Sequence, residues 1–305
     1  MRIVVIGQAP FGAKVLERLL ERGEEVVGAF TPPERRGRPD PLAEAAEAKG
    51  VPLFKVTSMK TEEVYQSFQS LRPDLGVMAF VTLIVPERVL YLPGLGTIQY
   101  HPSLLPKHRG ASAINWAIIN GDGKTGLTIF WPDKGLDTGP VLLQKEVQIG
   151  PDDTVGSIYF DKLFPMGVDA MMESIDLVKE GKAPHIPQEE SQATYEGICR
   201  AENAEIDWAG EGQEVYNLIR GTNPQPGAWT LFKGQRLKIF DSEPRLGEDM
   251  GTPGEVVEVE EDGFLVAVGG GAIKVKRVQS PESKKVMAPE YIEQSGLKAG
   301  DRLGG

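Results

Sequence analysis

The sequence predicts an α/β fold: a doubly wound, mostly parallel Rossmann-like sheet followed by a smaller OB-like β-barrel domain. Three observations carry that reading. Apolar, β-branched runs at residues 2–6 and 75–80 lack polar alternation, the pattern of strands buried on both faces of a parallel sheet. Segments of helical length separate such runs, giving the strand, helix, strand order of βαβ units. Beyond residue 204 the pattern changes to short strands divided by Gly-rich or acidic turns, which fits a small open barrel.

In chain order, residues 2–6 form the first strand, and Gly7 and Gly12 bracket a turn into a helix over 11–22. This GQAPFG turn is not the GxGxxG of dinucleotide binders, nor a P-loop, because no Lys-Ser or Lys-Thr follows. Its glycines read as allowing a tight turn rather than cradling a phosphate. Residues 25–31 are the second strand. The polar loop 32–41 carries Arg35, Arg36 and Arg38, which read either as a solvated loop or as a contact for an anionic substrate tail. A helix over 42–49 stopped by Gly50, a strand over 51–56, a helix from Thr57 to about Leu71 and the strand 75–80 complete the first half. Open sheets of this kind take ligands at the carboxyl ends of their strands, which places 80–86 and 101–106 on one edge.

Asp152, Asp153 and Thr154 read as the start of a helix running to about Glu180, since acids and a hydroxyl there satisfy free N–H groups and favour the helix dipole. With no His or Cys beside them they do not read as a metal site. Residues 184–203, with Pro184, Pro187, Gln188, Glu189 and Glu190, read as a linker, dividing a catalytic domain at 1–183 from a C-terminal domain at 204–305. Five strands are expected in the latter, at 230–232, 237–240, 255–259, 264–268 and 273–278.

Composition narrows the class. The chain has 305 residues, 40% hydrophobic and 25% charged, enough for a well-buried core. A net charge of -11 disfavours nonspecific contact with nucleic acid or an anionic membrane. The single cysteine, Cys199, cannot form an intrachain disulfide, and residues 1–7 are too short and strand-like for a signal peptide; with no long apolar run, a soluble cytoplasmic protein without membrane contact is expected.

Residues 96–139 concentrate the chemistry. A strand over 96–100 delivers His101, a Pro-flanked loop follows, then a helical patch at 111–120 and a strand at 127–131, and the stretch ends with Asp137 between Gly135 and Gly139. A His at a strand's end and an Asp in a Gly-bracketed turn can project into one crevice from rigid backbone, which suits general acid/base work. Read without further context, a lone His after a strand is more often a structural or surface residue, and an Asp-Thr-Gly turn is usually just a turn.

YHPSLLPKHRGASAINWAIINGD followed by GLTIFWPDKGLDTGPVLLQKE, with RIVVIGQAPFG, YEGICRAENAEIDW and IRGTNPQPGAW, resembles the 10-formyltetrahydrofolate-dependent formyltransferase family. That family includes methionyl-tRNA formyltransferases, sugar-amine N-formyltransferases and the N-terminal hydrolase domain of 10-formyltetrahydrofolate dehydrogenase, whose pattern this chain most resembles. The resemblance implies 10-formyltetrahydrofolate as formyl donor, water or an amine as acceptor, and neither metal nor nucleotide. It implies that His101 is the oxyanion partner and proton donor, and that Asp137 orients the imidazole or the nucleophile and accepts a proton. It further implies that Leu83, Ile84 and Val85 line the pterin pocket, partly through backbone groups, and that Ser103, Leu104, Leu105 and Pro106 belong to the folate-binding loops.

One departure bears on mechanism. Amine-formylating members carry Asn two residues before the histidine, where this chain has Gln99, which reads either as an ordinary strand residue or as a third catalytic group one methylene too long. His108 reads as structural or solvent-facing, and Arg109 as holding the folate tail or the loop. The acidic charge and the lack of a longer basic insertion near 32–41 disfavour tRNA as partner. A non-catalytic folate-binding module is the non-enzyme alternative.

Overall fold

The computed structural model describes residues 1–34 and 37–304; Arg35 and Arg36 lie outside the described residues. By its internal contacts the chain divides into two compact units, Met1–Gly110 with Gly126–Val147 and Lys162–Tyr195, and Ala111–Thr125 with Gln148–Asp161 and Glu196–Gly305.

The first unit is built on a seven-stranded sheet. In chain order its elements begin β1 (Arg2–Gly7), α1 (Ala9–Glu21), β2 (Glu25–Thr31), α2 (Pro41–Ala48), β3 (Leu53–Lys55), α3 (Glu62–Ser70), β4 (Leu75–Ala79), α4 (Glu87–Leu90) and β5 (Thr97–His101). After α5 (Ala113–Ile119), which belongs to the second unit, come β6 (Lys124–Phe130) and β7 (Val141–Gln148). The strand order is β3-β2-β1-β4-β5-β6-β7, with β1 to β5 parallel and β6 antiparallel to β5. Val4 and Ile6 of β1 join a core with Phe30, Phe68, Met78 and Val89, while Ile3 and Val5 are equally buried. Neither face of the strand meets water, so no alternation is needed, and each such side chain contributes about 1.5–3 kcal/mol.

The order reverses between β1 and β4. Gly7 lets the two strands meet: a Cβ at that position would lie 2.2 Å from the Ala79 carbonyl oxygen. At the start of α1 the Asp40 carboxylate accepts the Ala9 N–H at 2.9 and 3.0 Å, and it also accepts the Leu42 N–H at 2.9 Å, capping α2. The position where a dinucleotide binder would hold a phosphate is filled by the chain's own acid. One expected boundary moves. Helix α3 begins at Thr61, whose hydroxyl accepts the Val64 N–H, and not at Thr57; the preceding Ser58 instead accepts the Lys60 N–H, closing a hydroxyl turn that competes with helix.

In the second unit, Thr154 caps α6 (Val155–Ser157) through a reciprocal bond with Ser157, and the Asp153 carboxylate accepts the Ser157 hydroxyl. A π-helical turn (Ile158–Leu163) then leads into α7 (Phe164–Lys179) of the first unit, which packs against α1. The C-terminal part holds α8 (Gly212–Gly221), β8 (Ala228–Phe232), β9 (Gln235–Ile239), β10 (Ser242–Leu246), β11 (Val256–Glu260), β12 (Gly263–Val268), β13 (Gly271–Val275), β14 (Arg277–Gln279), β15 (Val286–Met287) and α9 (Ala288–Ser295). Among the described residues these are eight strands rather than the expected five, in two four-stranded antiparallel sheets, β10-β13-β12-β11 and β15-β14-β9-β8. Strand β10, SEPRL, has no apolar face to announce it; β14 merges in sequence with β13, and β15 is only two residues long. Among the described residues no helix is long and apolar enough to cross a membrane.

Candidate active site

His101 is the last residue of β5, paired across the sheet with Thr128 of β6. Its ring is buried, and its Nε2 lies 2.8 Å from the carbonyl oxygen of His108. A carbonyl can only accept, so Nε2 carries the hydrogen and the neutral ring keeps its lone pair on Nδ1. That nitrogen faces Asp137 Oδ2 at 3.6 Å. His108, expected to be structural or solvent-facing, is buried and sets the tautomer through its backbone.

Asp137 is as buried as the histidine and sits at φ +57°, in the left-handed region that non-glycine residues rarely occupy. Such a conformation persists only where its surroundings hold it. The Gly110 N–H donates to Oδ2 at 2.8 Å, and the Gln99 amide reaches Oδ1 at a long 3.4 Å. Within the same turn the Asp133 carboxylate accepts the Gly135 N–H and the Thr138 hydroxyl.

The structure brings His101, Asp137 and Gln99 together. Gln99 and Asp137 both line a cleft of about 170 Å³, together with the 81–85 loop, the rest of the 132–137 loop, and Met78, Leu90 and Phe130. Leu83, Ile84 and Val85 line it, and His101 stands behind Asp137 rather than on the lining. Ile84 and Leu136 are largely exposed, 72% and 62%, so two apolar side chains from the two loops are left facing solvent.

Ser103, Leu104, Leu105 and Pro106 do not line this cleft. They shape the turn behind it: the Ser103 hydroxyl donates to the Lys107 carbonyl, the Leu105 N–H donates to Thr128 Oγ1, and Gln144 donates to the Leu105 carbonyl. Arg38 is exposed and no part of the cleft lining.

The stretch read as a linker contains residues that sequence reasoning missed. Residues 184–195 form a strap across both loops that carry the site. Ile186 exchanges backbone hydrogen bonds with Val141, and the Pro184 carbonyl accepts the Trp131 indole N–H. Thr194 accepts the His108 N–H on its hydroxyl and the Arg109 N–H on its carbonyl. Arg109 is 1% exposed and donates to Gln188, to both oxygens of Glu190 and to the Tyr195 hydroxyl. The Glu190 hydrogen bond pushes the guanidinium further up, and the same bond holds the Glu190 carboxyl below its usual range. Arg109 therefore holds the strap, not a ligand tail. A signal was present in sequence: Pro184 and Pro187 make a stiff extended segment, unlike a flexible Gly/Ser linker.

Residues 1–174 match the formyl transferase family, and residues 199–296 match the formyl transferase C-terminal domain. The chain belongs to the formyl transferase family. It is 42% identical over 307 residues to human mitochondrial 10-formyltetrahydrofolate dehydrogenase, covering 96% of this chain and 33% of that protein. The chain thus spans about a third of the length of the dehydrogenases it matches. It is 36% identical to methionyl-tRNA formyltransferase of Alkaliphilus oremlandii over the full length of both proteins. In structure it resembles HypX from Aquifex aeolicus, crystallised in complex with tetrahydrofolic acid, at a TM-score of 0.69 and 20% identity, covering 96% of this chain and 47% of that one. This formyl transferase chain shares with these relatives an α/β unit with a mostly parallel sheet and a C-terminal antiparallel β unit.

Proposed function

We propose that this protein binds 10-formyltetrahydrofolate and transfers its formyl group to water or to an amine, releasing tetrahydrofolate. The observation that carries the proposal is the buried Asp137 carboxylate, 3.6 Å from the His101 imidazole and lining a cleft together with Leu83, Ile84 and Val85. A cleft with one largely apolar wall at 81–85 and polar groups elsewhere on its lining, Gln99, Asp133, Lys134 and Asp137, suits a flat heterocycle with a polar edge, held by stacking and by hydrogen bonds.

The chemistry follows from the groups around Asp137. A nucleophile adds to the formyl carbon, the carbonyl oxygen becomes an oxyanion, and the carbon–nitrogen bond to the folate breaks as that nitrogen gains a proton. Asp137 accepts the proton given up by water or the amine. The His101 Nδ1 beside it takes up and returns protons, since Nε2 is committed to the His108 carbonyl. The Gln99 amide, held to Asp137 only at 3.4 Å, is loosely enough bound to turn toward the oxyanion. The 103–106 turn serves this site from behind by placing the His108 carbonyl.

Delivery to water, as in the hydrolase part of the dehydrogenases, is the first reading, supported by 42% identity along nearly the whole chain. The second is methionyl-tRNA formylation, favoured by the end-to-end match to the Alkaliphilus enzyme and opposed by the net charge of -11. The OB-like character of the C-terminal strands belongs to this proposal; what supports it is the passage of one strand between the two sheets at Lys276. The test is to incubate the purified protein with 10-formyltetrahydrofolate alone, with methionyl-tRNA and with sugar amines, following tetrahydrofolate. Formate release without acceptor is the expected result, and His101→Ala and Asp137→Ala each abolish it while leaving the circular dichroism spectrum unchanged. Tight folate binding without turnover toward any acceptor overturns the enzyme reading in favour of a folate-binding module.

A further inference from the structure

We propose that Gln188 is the positioning residue for Asp137, holding the carboxylate in the conformation that formyl transfer uses; this rests on the activity proposed above. One side-chain amide does the work. Its Nε2 donates to the backbone carbonyls of Asp137 at 2.9 Å and Gly139 at 2.8 Å, while its Oε1 accepts two guanidinium N–H groups of Arg109 at 2.8 and 3.0 Å. Both donors and both acceptor sites of the amide are used, and its orientation is forced: carbonyls can only accept and a guanidinium can only donate.

The tie falls where the backbone needs one. Asp137 occupies the left-handed region at φ +57°, and the amide clamps the carbonyls on either side of Thr138, closing the turn in that state. Arg109 is itself fixed by Glu190 and Tyr195, and its neighbour Gly110 supplies the N–H that the Asp137 carboxylate accepts at 2.8 Å. Gln188 thereby couples the loop that carries Asp137 to the loop that surrounds His101. It lies between the two stretches that match the family, is not itself part of the cleft lining, and meets Asp137 at the backbone carbonyl rather than at the carboxylate.

The variants that isolate this role keep the side chain's length. Gln188→Glu retains an acceptor for Arg109 but loses both donors, and Gln188→Met loses all four bonds. Turnover of 10-formyltetrahydrofolate by the wild-type protein tests the activity by itself. Relative to it, both variants are expected to lower kcat by about 10²-fold, the loss typical of a displacement near 1 Å, with KM little changed. Independently of activity, amide hydrogen exchange at Gly110, protected by the Asp137 carboxylate, is expected to accelerate at least tenfold in Gln188→Glu, a change on the order of 1.4 kcal/mol. Should either variant not fold, Gln188→Asn, one methylene short, is read the same way. Unchanged Gly110 exchange, or a raised KM with kcat intact, overturns the positioning role. An inactive wild type with accelerated Gly110 exchange in the variant leaves the positioning geometry standing and refutes the activity.

Discussion

Gly139→Ala tests whether the turn that carries Asp137 must keep its shape. Gly139 lies where the two ends of that turn meet, and the Trp131 N–H donates to the Pro140 carbonyl there. A Cβ on residue 139 would stand 1.7 Å from the Trp131 carbonyl oxygen and 2.9 Å from its carbon, against backbone that cannot rotate away. To reach even 3.0 Å from that oxygen, the shortest approach real Cβ atoms make, the two ends must part by at least 3.0 minus 1.7, or 1.3 Å. Asp137 is two residues away and moves with them. Its contact with the Gly110 N–H is 2.8 Å, so a shift of roughly 1 Å takes it out of hydrogen-bond range. The expected result is a kcat lower by about 10²-fold, with a stability loss of about 1–3 kcal/mol from overpacking. The assay is tetrahydrofolate release at saturating 10-formyltetrahydrofolate beside urea denaturation. Gly94→Ala is the control, because a Cβ there meets nothing within 4 Å. A folded Gly139→Ala protein turning over within threefold of wild type would refute the reasoning.

Three further outcomes follow from the same geometry. Thr194→Val removes the acceptor of the His108 N–H and loosens the carbonyl that sets the His101 tautomer, so kcat is expected to fall by about tenfold while folate binding, read by fluorescence titration, is kept. Burial pushes the Cys199 thiol up to about 11, so at pH 8 iodoacetamide should modify it on the order of 10²-fold more slowly than free cysteine, followed by mass spectrometry. The Arg109 hydrogen bond holds the Glu190 carboxyl below its usual range; the stabilisation is therefore present above the ordinary glutamate range and lost as pH falls through the lowered value. Exchange over residues 188–195, corrected for its intrinsic pH dependence, should accelerate in acid, and Glu190→Gln should abolish that acceleration.

The parallel sheet was legible because its signal is local. Residues 25–31 and 75–79 fall where apolar runs without alternation place them, since burial on both faces writes itself into consecutive residues. The juxtaposition of His101 and Asp137 came from the resemblance of whole motifs; spacing alone leaves a histidine and a turn. The start of α3 was misplaced because two hydroxyl residues, Ser58 and Thr61, compete as caps and only Thr61 reaches the N–H of a residue that continues as helix. The strap was illegible for a different reason. Its contacts join Gln188 to Asp137, Arg109 to Glu190 and His108 to Thr194, each linking residues 51 to 86 positions apart with no period to betray it.

That distance explains how a polar, proline-containing segment comes to hold a site it does not line. A catalytic carboxylate on a turn gains access to ligand but loses the rigidity a strand provides, and left-handed backbone at Asp137 makes the turn less stable still. Apolar packing cannot restore that rigidity without filling the cleft the turn must wall. What remains is hydrogen bonding from outside, through groups whose geometry is planar and fully satisfied: the Gln188 amide on one loop and the Arg109 guanidinium on the other, with Glu190 as the exposed anchor of the guanidinium. Glu190 is itself 69% exposed, and Glu190→Gln takes away the counter-charge of the guanidinium but keeps an oxygen acceptor for it beside Gln188 and Tyr195. Removing Arg109 instead leaves the Gln188 oxygen without its donors inside the protein. Arg109→Met should therefore cost more activity and more stability than Glu190→Gln, although the two residues form one ion pair; equal losses from the two substitutions would place the strength of the latch in the salt bridge rather than in the buried amide.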